Sequence, residues 1–261
     1  MPHSSRIPVG SGVSLEATYD QAFYEGQMAE SLQSARIYIA HLHKYLQPSS
    51  VLDVGCGRGM WLKACGELGS TKLIGLDGGW NRPELMVEPT ISFRPIDLDQ
   101  PFTEPRVDLA MCLEVAEHLA PASAATFVTS LGSTSDVVLF GAALLGQGGT
   151  NHINEQPASY WAALFDKEGF DAFDLFRPTL WGDKRVCFWY RQNTFLYARR
   201  DSSAHRRLPS PVSREFMDCV HPELFANTVV AKQYVDATPS FSENVAALAP
   251  SFVRAVKRRL R

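Results

Sequence analysis

The spacing of apolar residues along this chain changes several times, and each change marks an element. Between residues 28 and 46 the apolar positions Met28, Leu32, Ala35, Ile39, Leu42 and Leu46 recur every three or four residues. That spacing predicts one buried helical face, ended by Pro48 and two serines. Residues 51–54 are continuously aliphatic apart from Asp53 and predict a short strand. Over residues 58–68, Trp61, Ala64, Cys65 and Leu68 again share a helical face, with Gly69 as a natural stop. Strands are expected at residues 72–76, 91–95 and 106–113, closing at or near Asp77, Asp97 and Glu114. A helix over residues 122–131 precedes a further apolar run at 136–145. Apolar runs separated by helices predict a parallel sheet covered on both faces.

The last third has a different pattern. Pro157 opens a helix whose inner side carries Tyr160, Trp161, Leu164 and Phe165, and Gly169 ends it. Residues 170–176 and 186–197 are expected to pair as an antiparallel hairpin at a sheet edge, with the run FWYRQN (188–193) inside the second strand. Three regions follow: a flexible lead-in over residues 1–20, a main domain over 21–200, and a partly helical C-terminal extension over 201–261.

The stretch LDVGCGRGMW carries the most specific chemistry. A strand that ends in a glycine turn and runs into a helix forms a ligand crevice in open α/β sheets. The dinucleotide fingerprint spaces its glycines as GxGxxG, over a pyrophosphate. Here Gly55, Gly57 and Gly59 are spaced as GxGxG, and Asp53 directly precedes the first. A carboxylate in that crevice suits a cationic ligand better than a pyrophosphate. S-adenosylmethionine, with its sulfonium and α-amino groups, meets that requirement. Asp77 closes the next strand at about the distance (roughly 20 residues) expected for a ribose-binding acid. A carboxylate there can accept from both ribose hydroxyls. Asp97, in FRPIDLDQP, ends the third strand and is placed to accept from the adenine amino group.

These residues resemble the class I S-adenosylmethionine-dependent methyltransferases over roughly residues 20–200. VLDVGCGRG is similar to the family's first motif, IGLDGG to its second, and DLAMCLEVAEHL to its fourth, in the form found in small-molecule enzymes of the UbiE and UbiG type. GQGGTNHINEQPASYW resembles a subgroup from bacterial glycan and secondary-metabolite pathways. The resemblance implies a Rossmann-like, mostly parallel seven-stranded sheet in the order 3-2-1-4-5-7-6 with strand 7 antiparallel, under an N-terminal helical cover. It implies cofactor contacts from Asp53, Gly55, Gly57, Asp77 and Asp97, with Cys56 and Gly78 in the same two turns. Leu98 would border the adenine and Glu114 the methionine end.

Methyl transfer to a hydroxyl also needs a proton acceptor. His152, in NHINEQ, is the first choice, with Asn151, Asn154 and Glu155 to orient it, and His118 is the rival. Tyr160 and Trp161 read as core or as an acceptor pocket, and Arg191 or Gln192 as groups that could reach the acceptor. Phe23 and Tyr24 read as part of a lid. Other readings stay open: N-methylation of a small amine, or a non-catalytic S-adenosylmethionine-binding regulator or partner subunit. An NAD-dependent enzyme is disfavoured by the glycine spacing.

Composition narrows the classes further. The 261 residues carry a net charge of −3 and are 45% hydrophobic, so nothing draws the chain as a whole to nucleic acid or to a membrane. Five scattered cysteines without a CxxC pair give no zinc framework and suit a reducing cytoplasm. No His/Asp cluster has metal-ligand spacing, so no metal is expected. A small-molecule acceptor is the expected partner, and a homodimer is left open. The terminal VKRRLR reads as solvated surface or as part of a basic amphipathic helix.

Overall fold

A computed structural model describes residues 15–227 of the chain, with side chains from residue 28 onward. The suggested lid residues Phe23 and Tyr24 and the basic C-terminal segment therefore lie outside the described side chains. The chain divides into two units, residues 1–219 and residues 220–261.

Within the first unit the elements follow in the order α1 (Leu15–Leu42), β1 (Ser50–Val54), α2 (Met60–Glu67), β2 (Lys72–Asp77), β3 (Ser92–Pro95), β4 (Leu109–Leu113), α3 (Ala124–Thr134), β5 (Val137–Gly141), α4 (Ala158–Lys167), β6 (Phe170–Phe173), α5 (Arg177–Leu180), α6 (Phe188–Asn193) and β7 (Phe195–Arg199). The sheet order is β3-β2-β1-β4-β5-β7-β6. The first five strands run parallel, while β7 pairs antiparallel with both β5 and β6. This is the Rossmann-like methyltransferase arrangement implied by the sequence motifs.

Strand alternation builds a core on each face of the sheet. On one face Val51, Leu109 and Leu139 pack with Ala35, Tyr38 and Ile39 of α1 and Trp61 and Leu62 of α2. On the other, Leu52, Val54, Val138 and Phe140 pack with Phe127 of α3 and Trp161 and Phe165 of α4. Trp161 is therefore a core residue, its ring centroid 5.2 Å from that of Phe140. The two cores fix all the parallel strands in register, so that their C-terminal tips share one edge.

One element departs from expectation. FWYRQN is the helix α6, not part of a strand. Tyr190, Arg191, Gln192 and Asn193 are all buried, so the segment presents no polar face to reveal its period. Arg191 donates to the carbonyl of Trp181 at 2.7 Å, which commits it to structure. The segment after β7 stays with this unit as far as Cys219. Arg177 donates to the carbonyls of Phe216 and Met217 at 2.9 and 2.7 Å and lies over the Phe195 ring. Among the described residues no helix is long and apolar enough to cross a membrane.

Candidate active site

The tips of β1, β2, β3 and β4 enclose a cleft of about 800 Å³. Its glycine turn is held by two bonds, from Gly55 N–H and Cys56 N–H to the carbonyl of Leu76 at 2.8 and 3.1 Å. Gly55 has φ +81°, and a Cβ there would stand 2.2 Å from Val115 Cγ2, so both conformation and space demand glycine. Gly57 (φ +53°) lines the cleft, and a Cβ on it would meet nothing within 4 Å. The missing side chain leaves the backbone open to a ligand.

Asp77 organises this turn. Its Oδ2 accepts from Gly57 N–H and its Oδ1 from Gly78 N–H, both at 2.7 Å. Each oxygen keeps a lone pair for a ligand, and the carboxylate lines the cleft. Burial raises its pKa, and the two amides offset only part of that. Asp97 and Leu98 line the same cleft, as do Gly78 and Glu114. Asp53 and Cys56 do not line it. Asp53 is buried beneath the turn, and burial together with the charge of Asp77 pushes its carboxyl up to about 8. The Cys56 thiol packs toward Gly75.

Glu114 holds φ +56° at the end of β4, an uncommon conformation for a non-glycine residue. Its Oε1 accepts from Asn193 Nδ2 at 2.8 Å and its Oε2 from Gln147 Nε2 at 3.0 Å. Burial raises its pKa against these two bonds. Gln192 takes part indirectly, donating to Asn193 Oδ1 at 2.9 Å.

The loop after β5 carries NHINEQ back against the turn after β4. Ile153 and Asn154 N–H both donate to the carbonyl of Glu117 at 2.9 Å. This clamp brings His152 beside His118, with ring centroids 4.8 Å apart. His152 Nδ1 lies 2.9 Å from Glu155 Oε1. Glu155 also accepts from Gly146 and Gly148 N–H at 2.8 and 2.7 Å. Its burial would raise its pKa, but the bonds from His152, Gly146 and Gly148 outweigh that and hold it below the usual value. His118 lines the cleft, and its Nδ1 lies 3.3 Å from the carbonyl of Asn151. Burial, then the neighbouring His152, lowers its pKa.

Some contributors were not foreseen from sequence. Trp80 lines the cleft and is 68% exposed, a large aromatic face with no core role. Asn81 is buried and donates to the carbonyl of Gly57. Gln147 and Asn193 hold Glu114 from segments distant in sequence. Only Trp80, an aromatic directly after the strand-end glycines, offered a signal.

The cleft's side chains include three carboxylates, Asp77, Asp97 and Glu114, and no lysine or arginine. That suits a ligand with hydroxyls and positive charge and opposes a pyrophosphate. The family model described as a methyltransferase domain matches residues 24–139. This segment is a class I methyltransferase domain.

No curated protein matches the chain. A chain in the complex between the Haloferax volcanii Trm112 methyltransferase activator and its partner shares the fold of this methyltransferase domain, with a TM-score of 0.51 and 13% identity over 70% of this chain and 96% of that one. Magnesium protoporphyrin IX methyltransferase from Synechocystis PCC 6803, solved with SAH, is 20% identical over 73% of this chain and 90% of its own, with a TM-score of 0.47. Human N-acetylserotonin methyltransferase, solved with SAM, is 16% identical over 59% of this chain, with a TM-score of 0.43, and the present chain spans about half (48%) of its length. S-adenosylmethionine is the donor that class I methyltransferase domains use, and the acidic, glycine-floored cleft fits it.

Proposed function

We propose that the chain catalyses O-methylation of a hydroxyl on a sugar-like or other small metabolite in the cytoplasm. The carrying observation is the His152–Glu155 pair, set against His118 at the rim of an acidic cleft. S-adenosylmethionine, when bound, supplies an activated methyl group on a positively charged sulfur. Asp77 would hold the ribose hydroxyls, Asp97 and Leu98 the adenine, and Glu114 the methionine end. Asp53, Gly55, Cys56, Gly57 and Gly78 shape the turn beneath.

Glu155 accepts from His152 Nδ1, which leaves the Nε2 lone pair free to take a proton. His152 Nε2 would take the acceptor hydroxyl's proton as the donor's methyl group is transferred to that oxygen. A positioned base of this kind contributes typically about 10²–10⁴-fold. The remaining acceleration comes from holding the acceptor in line.

The test is a panel of hydroxyl- and amine-bearing metabolites with labelled donor. Hydroxyl acceptors should be labelled, with His152→Ala reducing turnover at least about 100-fold. Labelling of amines alone, indifferent to that substitution, would favour N-methylation. Donor binding without labelling of any acceptor would favour a binding protein.

A further inference from the structure

The fold gathers three metal-ligating side chains that no sequence spacing announces. One ligand atom each from Glu117, His118 and His152 lies within 4.8 Å of the others. Glu117 is fully buried, and no side chain bonds to its carboxylate oxygens, which have only the backbone N–H groups of Glu117 and Ala143 near them. A buried acid left in that condition is costly unless something pairs with it. Nearby Glu114 cannot serve, since it is another acid and its oxygens are taken by Asn193 and Gln147.

The two histidines are prepared in the same sense. His118 Nδ1 faces the carbonyl of Asn151, and His152 Nδ1 faces the carboxylate of Glu155. Each acceptor draws the proton to Nδ1 and leaves a lone pair on Nε2. Metal-ligating histidines are oriented in this way, by a carboxylate or a carbonyl on the other ring nitrogen. The clamp from Ile153 and Asn154 to the carbonyl of Glu117 ties the two contributing segments together.

We propose that Glu117, His118 and His152 form a binding site for one divalent transition-metal cation at the rim of the cleft. Two imidazoles and one carboxylate favour zinc, cobalt, iron or manganese over magnesium or calcium, which prefer all-oxygen sets. Bonds of about 2.0–2.2 Å bring the three ligand atoms to about 3–4 Å from one another. Closing from 4.8 Å to that separation requires a small movement of the ligand side chains on binding. Water or an acceptor oxygen completes the shell.

The consequence for catalysis rests on the hydroxyl-acceptor reading. A cation-held hydroxyl loses its proton more readily, to solvent base, before its oxygen bonds to the methyl carbon. In the cation-loaded chain His152 is a ligand, so the base role proposed for it above belongs to the chain without the cation. Binding of the cation does not depend on that reading.

The test uses full-length chain stripped with a chelator, without donor or acceptor, titrated with Co²⁺ and then challenged with Zn²⁺. The expected result is one Co²⁺ per chain with visible absorption bands, displaced by Zn²⁺. His118→Asn and His152→Asn should each weaken binding at least tenfold, with unchanged circular dichroism. Glu117→Gln should do the same, and the two loop substitutions keep the test valid if that buried change unfolds the chain. Absence of stoichiometric Co²⁺ binding, or equal affinity in the double histidine variant, would overturn the site. Stoichiometric binding in a chain that methylates no hydroxyl would leave the site standing and remove the hydroxyl reading.

Discussion

The imidazole of His152 stands edge-on to that of His118, with ring centroids 4.8 Å apart, on segments joined by the clamp at the Glu117 carbonyl and by the contact of His118 Nδ1 with the carbonyl of Asn151. Burial, then the neighbouring His152, lowers the pKa of His118, which favours its neutral ring with a lone pair available. Glu155 is the residue that sets the orientation of His152.

Glu155→Gln therefore separates orientation from binding. The amide cannot hold the Nδ1 proton of His152 and the amides of Gly146 and Gly148 as a carboxylate does. Turnover with a hydroxyl acceptor should fall roughly 10- to 100-fold, within the range a positioned base supplies. The donor's Kd should stay unchanged. Steady-state kinetics beside a donor titration checks both.

Gly55→Ala should destabilise the fold by about 2–4 kcal/mol. The new Cβ must enter Val115 and adopt a left-handed conformation, two separate costs. Urea denaturation reads the loss directly. A second change, Val115→Ala, should recover the steric part and leave the conformational part.

Much of this site can be read from sequence, and the reason is topological. Parallel strands end on one edge, so acids at the ends of successive apolar runs must be neighbours, and Asp77, Asp97 and Glu114 do share one cleft. The GxGxG turn was legible because few side chains tolerate its dihedrals. What was not legible depends on tertiary contact. Gln147 reaches Glu114 from the loop after β5 and Asn193 from the last residue of α6. FWYRQN, three aromatic residues followed by three polar ones, is expected within a strand, yet folds as a helix with its polar side chains buried. The metal-ligand set is formed by a loop returning against the turn after β4, which no local spacing encodes.

Asp53 carries a pH dependence of stability. Its folded-state pKa of about 8 lies above its ordinary value of 3.8 because of burial and the charge of Asp77. Between about pH 4 and pH 8 the folded chain keeps a proton that the unfolded chain has released. Stability from this group is thus greatest at the acid end of that window and falls as pH rises through it. Thermal melts from pH 5 to pH 8 should decline more steeply for the wild type than for Asp53→Asn.

Trp80→Ala should leave stability nearly unchanged, because the side chain is mostly exposed. If the indole covers the bound donor, its loss raises the donor's Kd by roughly two- to twelvefold, the range expected for losing about 0.5–1.5 kcal/mol of aromatic contact. An unchanged Kd would make Trp80 a bystander at the cleft's lip.

The central claim is that acidic strand tips around a glycine turn hold a cationic methyl donor. Calorimetric titration of the full-length chain and of Asp77→Ala with S-adenosylmethionine, its demethylated product and NAD tests it most directly. The account predicts saturable binding of the first two, none of NAD, and at least a tenfold weaker donor in the variant. Indifference of the chain to the donor, or an equal Kd for the variant, would contradict it.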